Sequence, residues 1–223
     1  MKSLDEIIIY KDDNIVILNK PSFLLSQKDG SGEVSLEDYV QEYFHNKNAR
    51  LINRLDKDTT GLIMFGLNES AIKYFNEVFS SHEKVEKKYL VLVSGQVTEE
   101  GEVNAPIRKN FQKHKMVVCP EKNGGKKAVT LYKPIKVFED ATLLEVTLKT
   151  GRTHQIRVHM SKIGFPIVGD GTYSNGKNPF GVEGQMLHSY KLEFVHPITQ
   201  KKMELTAEIP AYFENVLKVL NAH

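Results

Sequence analysis

Two periods of apolar residues run through this chain, and each predicts its own kind of element. Apolar, β-branched residues at 7–10 and 15–18 flank Asp12-Asp13-Asn14, which predicts an opening β-hairpin. Ser35 with Asp38 three residues on reads as a helix start, and Leu36, Tyr39, Val40, Tyr43 and Phe44 follow at helical spacing. Residues 62–67 form a continuous apolar run, the pattern of a strand buried on both faces. Ala71, Ile72, Phe75, Val78 and Phe79 make the stripe of a second helix. Strand patterns return at 89–94, 116–119, 128–137 and 143–148. Thr153 is placed to cap a helix presenting Ile156, His159, Met160 and Ile163, stopped by Gly164. Strands at 187–195 and 203–209 precede a last helix from Pro210, with Phe213, Val216, Leu217 and Leu220 inward. Strands outnumber helices and short turns join them, so the expected class is α+β, with a largely antiparallel, mixed central sheet flanked by helices.

The 223 residues are 40% hydrophobic and 26% charged, an ordinary globular balance that excludes collagen-like, mucin-like and disordered chains. There is no repeat, no low-complexity tract and no linker long enough to separate a pair of domains, so one domain over residues 1–223 is expected. No run approaches the length of a membrane span, and the first apolar stretch follows acids rather than a basic leader. The single cysteine, Cys119, allows neither an internal disulfide nor a cysteine zinc cage, which points to a reducing, cytoplasmic compartment.

Formal net charge is only +2, which taken alone argues against a polyanionic partner. Its distribution argues the other way. Residues 108–136 hold nine basic side chains against one acid, Glu121, leaving the remainder of the chain net negative. Such a segment, with Lys113, Lys115, Lys126 and Lys127 among its cations, is either a solvated hairpin or a phosphate-binding surface. Only five of the 30 basic residues are arginine: Arg50, Arg54, Arg108, Arg152 and Arg157. A chain that otherwise uses lysine reserves arginine for bidentate pairing or stacking.

Two polar clusters could carry chemistry. In Arg54-Leu55-Asp56-Lys57-Asp58-Thr59-Thr60-Gly61, Asp56 and Asp58 would face opposite sides of an extended segment; a plain turn is the simpler reading. From Gly151 to His159 the chain packs two arginines, two histidines and Gln155 around an expected helix start, where anions are favoured. His154 and His159 are five apart, which suits neither a helical nor a strand zinc site, and His159 reads as a core histidine. The stretch from Gly171 to Lys177 imitates a phosphate loop, but Asn178 stands where a hydroxyl is needed and Pro179 follows. No metal site is expected.

Taken in order, Arg54-Leu55-Asp56 with Thr60-Gly61, then Lys88-Tyr89-Leu90-Val91-Leu92-Val93-Ser94-Gly95, then Gly151 to His159 resemble the RluA-type pseudouridine synthases. Leu18-Asn19-Lys20-Pro21-Ser22, Gly164-Phe165-Pro166-Ile167-Val168-Gly169-Asp170, Leu187-His188 and His196-Pro197 extend the likeness over residues 7–209. The resemblance implies the pseudouridine synthase fold and an enzyme that isomerises uridine in structured ribosomal or transfer RNA. It implies neither cofactor nor metal, since the uracil is detached, rotated and rejoined without redox or hydrolysis. It also implies no obligate protein partner and a monomer. The RNA-binding module often found ahead of this domain is not expected, because the first strand starts almost at Met1.

By resemblance, Asp56 is the catalytic aspartate, as nucleophile or as base. Arg157 is the arginine that pairs with it, and Tyr89 is the ring that stacks on the target base. Arg54 enters the RNA as that base flips out, and Arg152 lies near phosphate or beside the site. Three positions depart from the family: Asn53 where histidine is usual, Phe23 where glycine usually follows Lys-Pro-Ser, and Phe165 where histidine often precedes Pro-Ile. A non-catalytic RNA-binding or folding factor would keep the domain without needing Asp56, Tyr89 and Arg157. A glycosidase would use Asp56 and Asp58 as a carboxylate pair and release a free base or sugar.

Overall fold

The computed structural model describes residues 3–81, 85–174, 176 and 178–222. Twelve strands and four helices follow in chain order: β1 (Ile8–Lys11), β2 (Ile15–Lys20), α1 (Leu36–Tyr43), β3 (Arg50–Leu51), β4 (Thr60–Gly66), α2 (Glu69–Ser81), β5 (Val85–Ser94), β6 (Gly101–Asn104), β7 (Ile107–Asn110), β8 (Lys115–Val118), β9 (Val129–Val137), β10 (Ala141–Leu148), α3 (Gln155–Lys162), β11 (Leu187–Val195), β12 (Lys202–Thr206) and α4 (Ala211–Asn221). The chain divides into two compact units, Met1–Lys87 with Ser189–Ile209 and Lys88–His188 with Pro210–His223, the divisions falling inside β5 and β11. The class is α+β, as the pattern predicts.

In the first unit the expected hairpin forms because Asp12 closes it. Its Oδ1 accepts the backbone N–H groups of Asn14 (2.8 Å) and Ile15 (2.9 Å), and its Oδ2 meets His196 Nε2 at 2.8 Å. Burial alone would raise this carboxyl, but those two N–H donors, Tyr10 and His196 hold it below the usual range. Strands run in the order β1-β2-β4-β11, with β3 on β4 and β12 on β11. β4 is buried along its whole length and β2 nearly so, which is why their sequences are continuous apolar runs. α2 packs Ala71, Phe75, Val78 and Phe79 onto Ile15, Ile17, Leu62, Met64, Leu192 and Phe194, with Phe75 edge-on to Phe194 at 5.4 Å. Gly61 is required at the start of β4: its φ is +105°, and a Cβ there would come within 2.2 Å of the Ser189 carbonyl oxygen. Ser35 caps α1 as expected, in a reciprocal capping box with Asp38.

In the second unit β5, β10, β9 and β6 form an antiparallel ladder, with Tyr89 of β5 opposite Val146 of β10. β7 and β8 make a separate hairpin, Arg108 opposite Val117 and Lys109 opposite Met116, and Ile107 at its base also bridges Lys126. Ile107, Ala128, Val158 and Tyr173 form a small core beneath it, with Met116 and Val118 against them. α3 does not begin as predicted. Its N-cap is His154, in the left-handed region at φ 54°, and no side chain caps the helix. Gln155 organises the first turn instead, accepting from Thr150 Oγ1 (2.7 Å) and the Arg152 N–H (3.0 Å) while donating to Val129 O and Thr130 Oγ1. At the helix start itself the Gln155 N–H meets the Arg152 carbonyl at 3.1 Å and the Val158 N–H the His154 carbonyl at 2.9 Å. Among the described residues no helix is long and apolar enough to cross a membrane.

Candidate active site

Asp56 sits on a turn, the simpler of the two readings its sequence allows. The Thr59 N–H closes that turn onto the Asp56 carbonyl at 3.1 Å, so the two aspartates flank a bend rather than alternate along a strand. Asp56 and Asp58 are half-buried, and Arg54 just before them is exposed.

The turn is gripped by the last residue of β2 and the segment that follows it. Lys20 is fully buried, and its Nζ donates to the carbonyls of Pro21 (2.9 Å), Leu24 (2.8 Å) and Lys57 (2.8 Å). Ser22 Oγ donates to Asp58 O at 3.0 Å. Ser26 Oγ donates to Leu55 O at 2.6 Å and accepts the Leu55 N–H at 3.2 Å. Three side chains thus hold the backbone of Leu55, Lys57 and Asp58 around Asp56. Burial pushes the Lys20 amine down to about 7, against the pull of Asp58 and Asp56. Three carbonyl acceptors match the three N–H bonds of an ammonium, whereas a neutral amine would turn a lone pair on one of them. The clamp therefore works with Lys20 charged.

Asn53 and Phe23, two of the departures, adjoin this clamp. Asn53 Oδ1 accepts the Met64 N–H at 2.8 Å, tying the chain before Arg54 to β4. Phe23 follows Ser22 at φ 62°, in the region that favours glycine, and its side chain is 52% exposed. A left-handed conformation costs an L-residue roughly 1–2 kcal/mol, so the backbone is shaped for the glycine that this chain lacks.

In the second unit Tyr89 is buried on β5, on the same face as Val91 and Val93. Arg157, on α3, is held by Asp170, the last residue of the Gly164–Asp170 stretch. Its Nε and Nη2 donate to Asp170 Oδ2 (2.7 Å) and Oδ1 (2.9 Å), and Nη2 also reaches Thr172 Oγ1 (3.2 Å). Asp170 is 1% exposed, and its Oδ1 also accepts the N–H groups of Thr172 and Tyr173. Both oxygens of the carboxylate are thereby bonded, as a buried ion pair requires. The Tyr173 ring lies under Arg157 (5.1 Å from Cζ) and under Lys115 (5.7 Å from Nζ). Its hydroxyl accepts the Met116 N–H at 3.0 Å and meets His154 Nδ1 at 2.9 Å. Tyr173 thereby joins Arg157 to the basic hairpin.

That hairpin exposes Lys113 and half-buries Lys115, while Lys126 and Lys127 lie exposed just before β9. At its tip Phe111 is 76% exposed, with Lys109 Nζ 5.4 Å from the ring. Arg152 is exposed and spends its Nε on the Lys127 carbonyl at 2.9 Å. His159 is the core histidine expected: its ring nitrogens meet Thr130 Oγ1 and Ala105 O, each at 2.9 Å, and burial pulls its pKa below the ordinary value. Phe165 lies against Gly95, near enough that a Cβ on the glycine would come within 3.3 Å of its ring. Of the phosphate-loop imitation, Asn175 and Lys177 lie outside the described residues. Among the described residues no cluster of three or more His, Cys, Asp or Glu could hold a metal ion.

Residues 14–162 match the sequence model of the RNA pseudouridylate synthase family. The chain belongs to that family. It is an enzyme of the pseudouridine synthase class, which isomerises uridine within RNA. A ribosomal large subunit pseudouridine synthase C of Vibrio cholerae is 35% identical over 222 residues, covering 96% of this chain and 69% of the relative. Another bearing that name, from Buchnera aphidicola, is 36% identical, covering 98% of this chain and 72% of the relative. The solved structure of human RNA Pseudouridylate Synthase Domain Containing 4 superposes with a TM-score of 0.80 at 26% identity, covering 99% of this chain and 95% of that one. The pseudouridine synthase fold and the RluA-type resemblance both stand.

Proposed function

We propose that this pseudouridine synthase acts on specific uridines of ribosomal or transfer RNA and that Asp56 is its catalytic residue. The observation that carries the assignment is the grip of Lys20, Ser22 and Ser26 on the backbone around Asp56. A solvated surface turn needs no such scaffold, while a reacting carboxylate needs to be held still. In the reaction the bond from uracil N1 to C1′ of the ribose breaks and a bond from C5 to C1′ forms. N1 ends bearing a proton and C5 loses one, so atoms and electrons balance without a co-reactant. Asp56 acts ionised, either as nucleophile at C1′ or as base at C2′. Arg157 pairs with it in the working enzyme, and Tyr89 offers a flat ring on which the detached uracil can turn. Arg54 fills the space the flipped base leaves. Arg152 and the cations Lys113, Lys115, Lys126 and Lys127 meet the phosphates. In this reading the two units serve one reaction as a single catalytic domain. The enzyme works as a monomer in a reducing, cytoplasmic setting where the buried Cys119 stays a thiol.

Incubating ribosomal and transfer RNA with wild type and with Asp56→Asn, then mapping pseudouridine, tests this. The variant is expected to lose about 10³-fold or more in kcat while binding RNA almost as before. Conversion at the wild-type rate would end the assignment. Neutralising the four lysines to glutamine is expected to weaken binding and to flatten its salt dependence by about 0.7–0.9 in slope per lysine that meets a phosphate. An unchanged slope would return the segment to a solvated hairpin.

A further inference from the structure

Among the described residues with positive φ, Phe23 is the one large apolar side chain; the others are histidines, a glutamine and glycines. Strain of this kind persists only where something holds it. Here the preceding residue is held by Ser22 Oγ on the Asp58 carbonyl, and the following residue by the buried Lys20 ammonium on the Leu24 carbonyl. The clamp thus dictates the backbone at position 23 and, through the same bonds, the turn of Asp56. Glycine would relieve the strain and give up only the covered half of an exposed ring. An exposed ring kept in a disfavoured backbone, three residues from the clamp's lysine, is therefore not explained by folding. A strained residue at a functional edge is where such a cost is commonly retained.

The geometry points to Phe23 as a stacking post for an RNA base flanking the target uridine. The proposal rests on the reading of Asp56 as the reacting group, and it adds a determinant of substrate choice to that site. A flat, uncharged ring suits an unpaired base, whose face can stack whatever its identity. It also suits this part of the chain, where acids outnumber lysines and phosphate contacts would be disfavoured. Arg54, exposed just before the Asp56 turn, supplies the cation on that side.

Phe23→Gly and Phe23→Trp test it, by thermal melting and by steady-state kinetics on an RNA that the wild type converts. The glycine variant is expected to melt at a higher temperature, to keep its kcat, and to raise KM about ten-fold, the effect of removing one stacked base. The tryptophan variant is expected to hold KM within about two-fold, since it keeps the ring. An unchanged KM for Phe23→Gly overturns the proposal, as does a tryptophan variant as impaired as the glycine one. A change in oligomeric size with KM unmoved overturns it too, assigning the ring to self-association. Wild type inactive on every RNA would instead sink the isomerase reading, a failure visible before either variant is assayed.

Discussion

The turn that carries Asp56 is gripped through its backbone by side chains from another segment, whereas Arg157 is gripped through its own head group. In the first unit, Lys20, Ser22 and Ser26 take hold of carbonyls; they fix the peptides on either side of the carboxylate they position. In the second, Asp170 takes the Arg157 fork directly and is itself anchored by two backbone N–H groups. On the proposal that Asp56 reacts, the first arrangement keeps its main chain still through bonds to neighbouring carbonyls. The second fixes the orientation of the Arg157 guanidinium.

The two grips should fail differently. Asp170→Ala leaves a buried guanidinium without its counter-charge and is expected to destabilise the fold by about 3–5 kcal/mol, read as a loss of denaturation midpoint. A midpoint near that of wild type would show that the pair contributes little to holding α3. Ser26→Ala is expected to cost less, about 1–2 kcal/mol, because one buried carbonyl and one N–H lose a neutral partner. Its mark is kinetic: kcat falls about ten-fold with KM unmoved, since the turn loosens while the RNA surface is intact. If Ser26→Ala lowered stability with kcat unchanged, the clamp would be ordinary loop packing, and the contrast between the two units would dissolve.

Much of the fold is legible in the chain because burial leaves a strong imprint. The run at 62–67 reads as a doubly buried strand and is one, and the Ser35–Asp38 spacing is a capping box. Three short strands, Arg50–Leu51, Gly101–Asn104 and Ile107–Asn110, leave no clear pattern because little of their length is buried and their residues are mostly polar. The start of α3 departs from its pattern because Thr153 satisfies a local rule that the fold does not use. Gln155 instead ties that end of the helix to residues about 25 positions away, which no local pattern encodes. The site divides the same way. Asp56, Tyr89 and Arg157 sit in long motifs and stand out from them. Asp170 closes the Gly164–Asp170 stretch, where nothing in the local pattern marks it as the partner of Arg157. Lys20 attracts no attention beyond its motif, because a lysine in a sequence suggests the surface until three carbonyls are seen to surround it.

Tyr173 gives the second unit a property that neither the hairpin nor α3 has alone. Its hydroxyl takes an N–H from β8, and its ring lies under one cation from the hairpin and one from the helix. The ring therefore serves as a shared floor for two like charges, letting an ammonium and a guanidinium stand close together against its negative face.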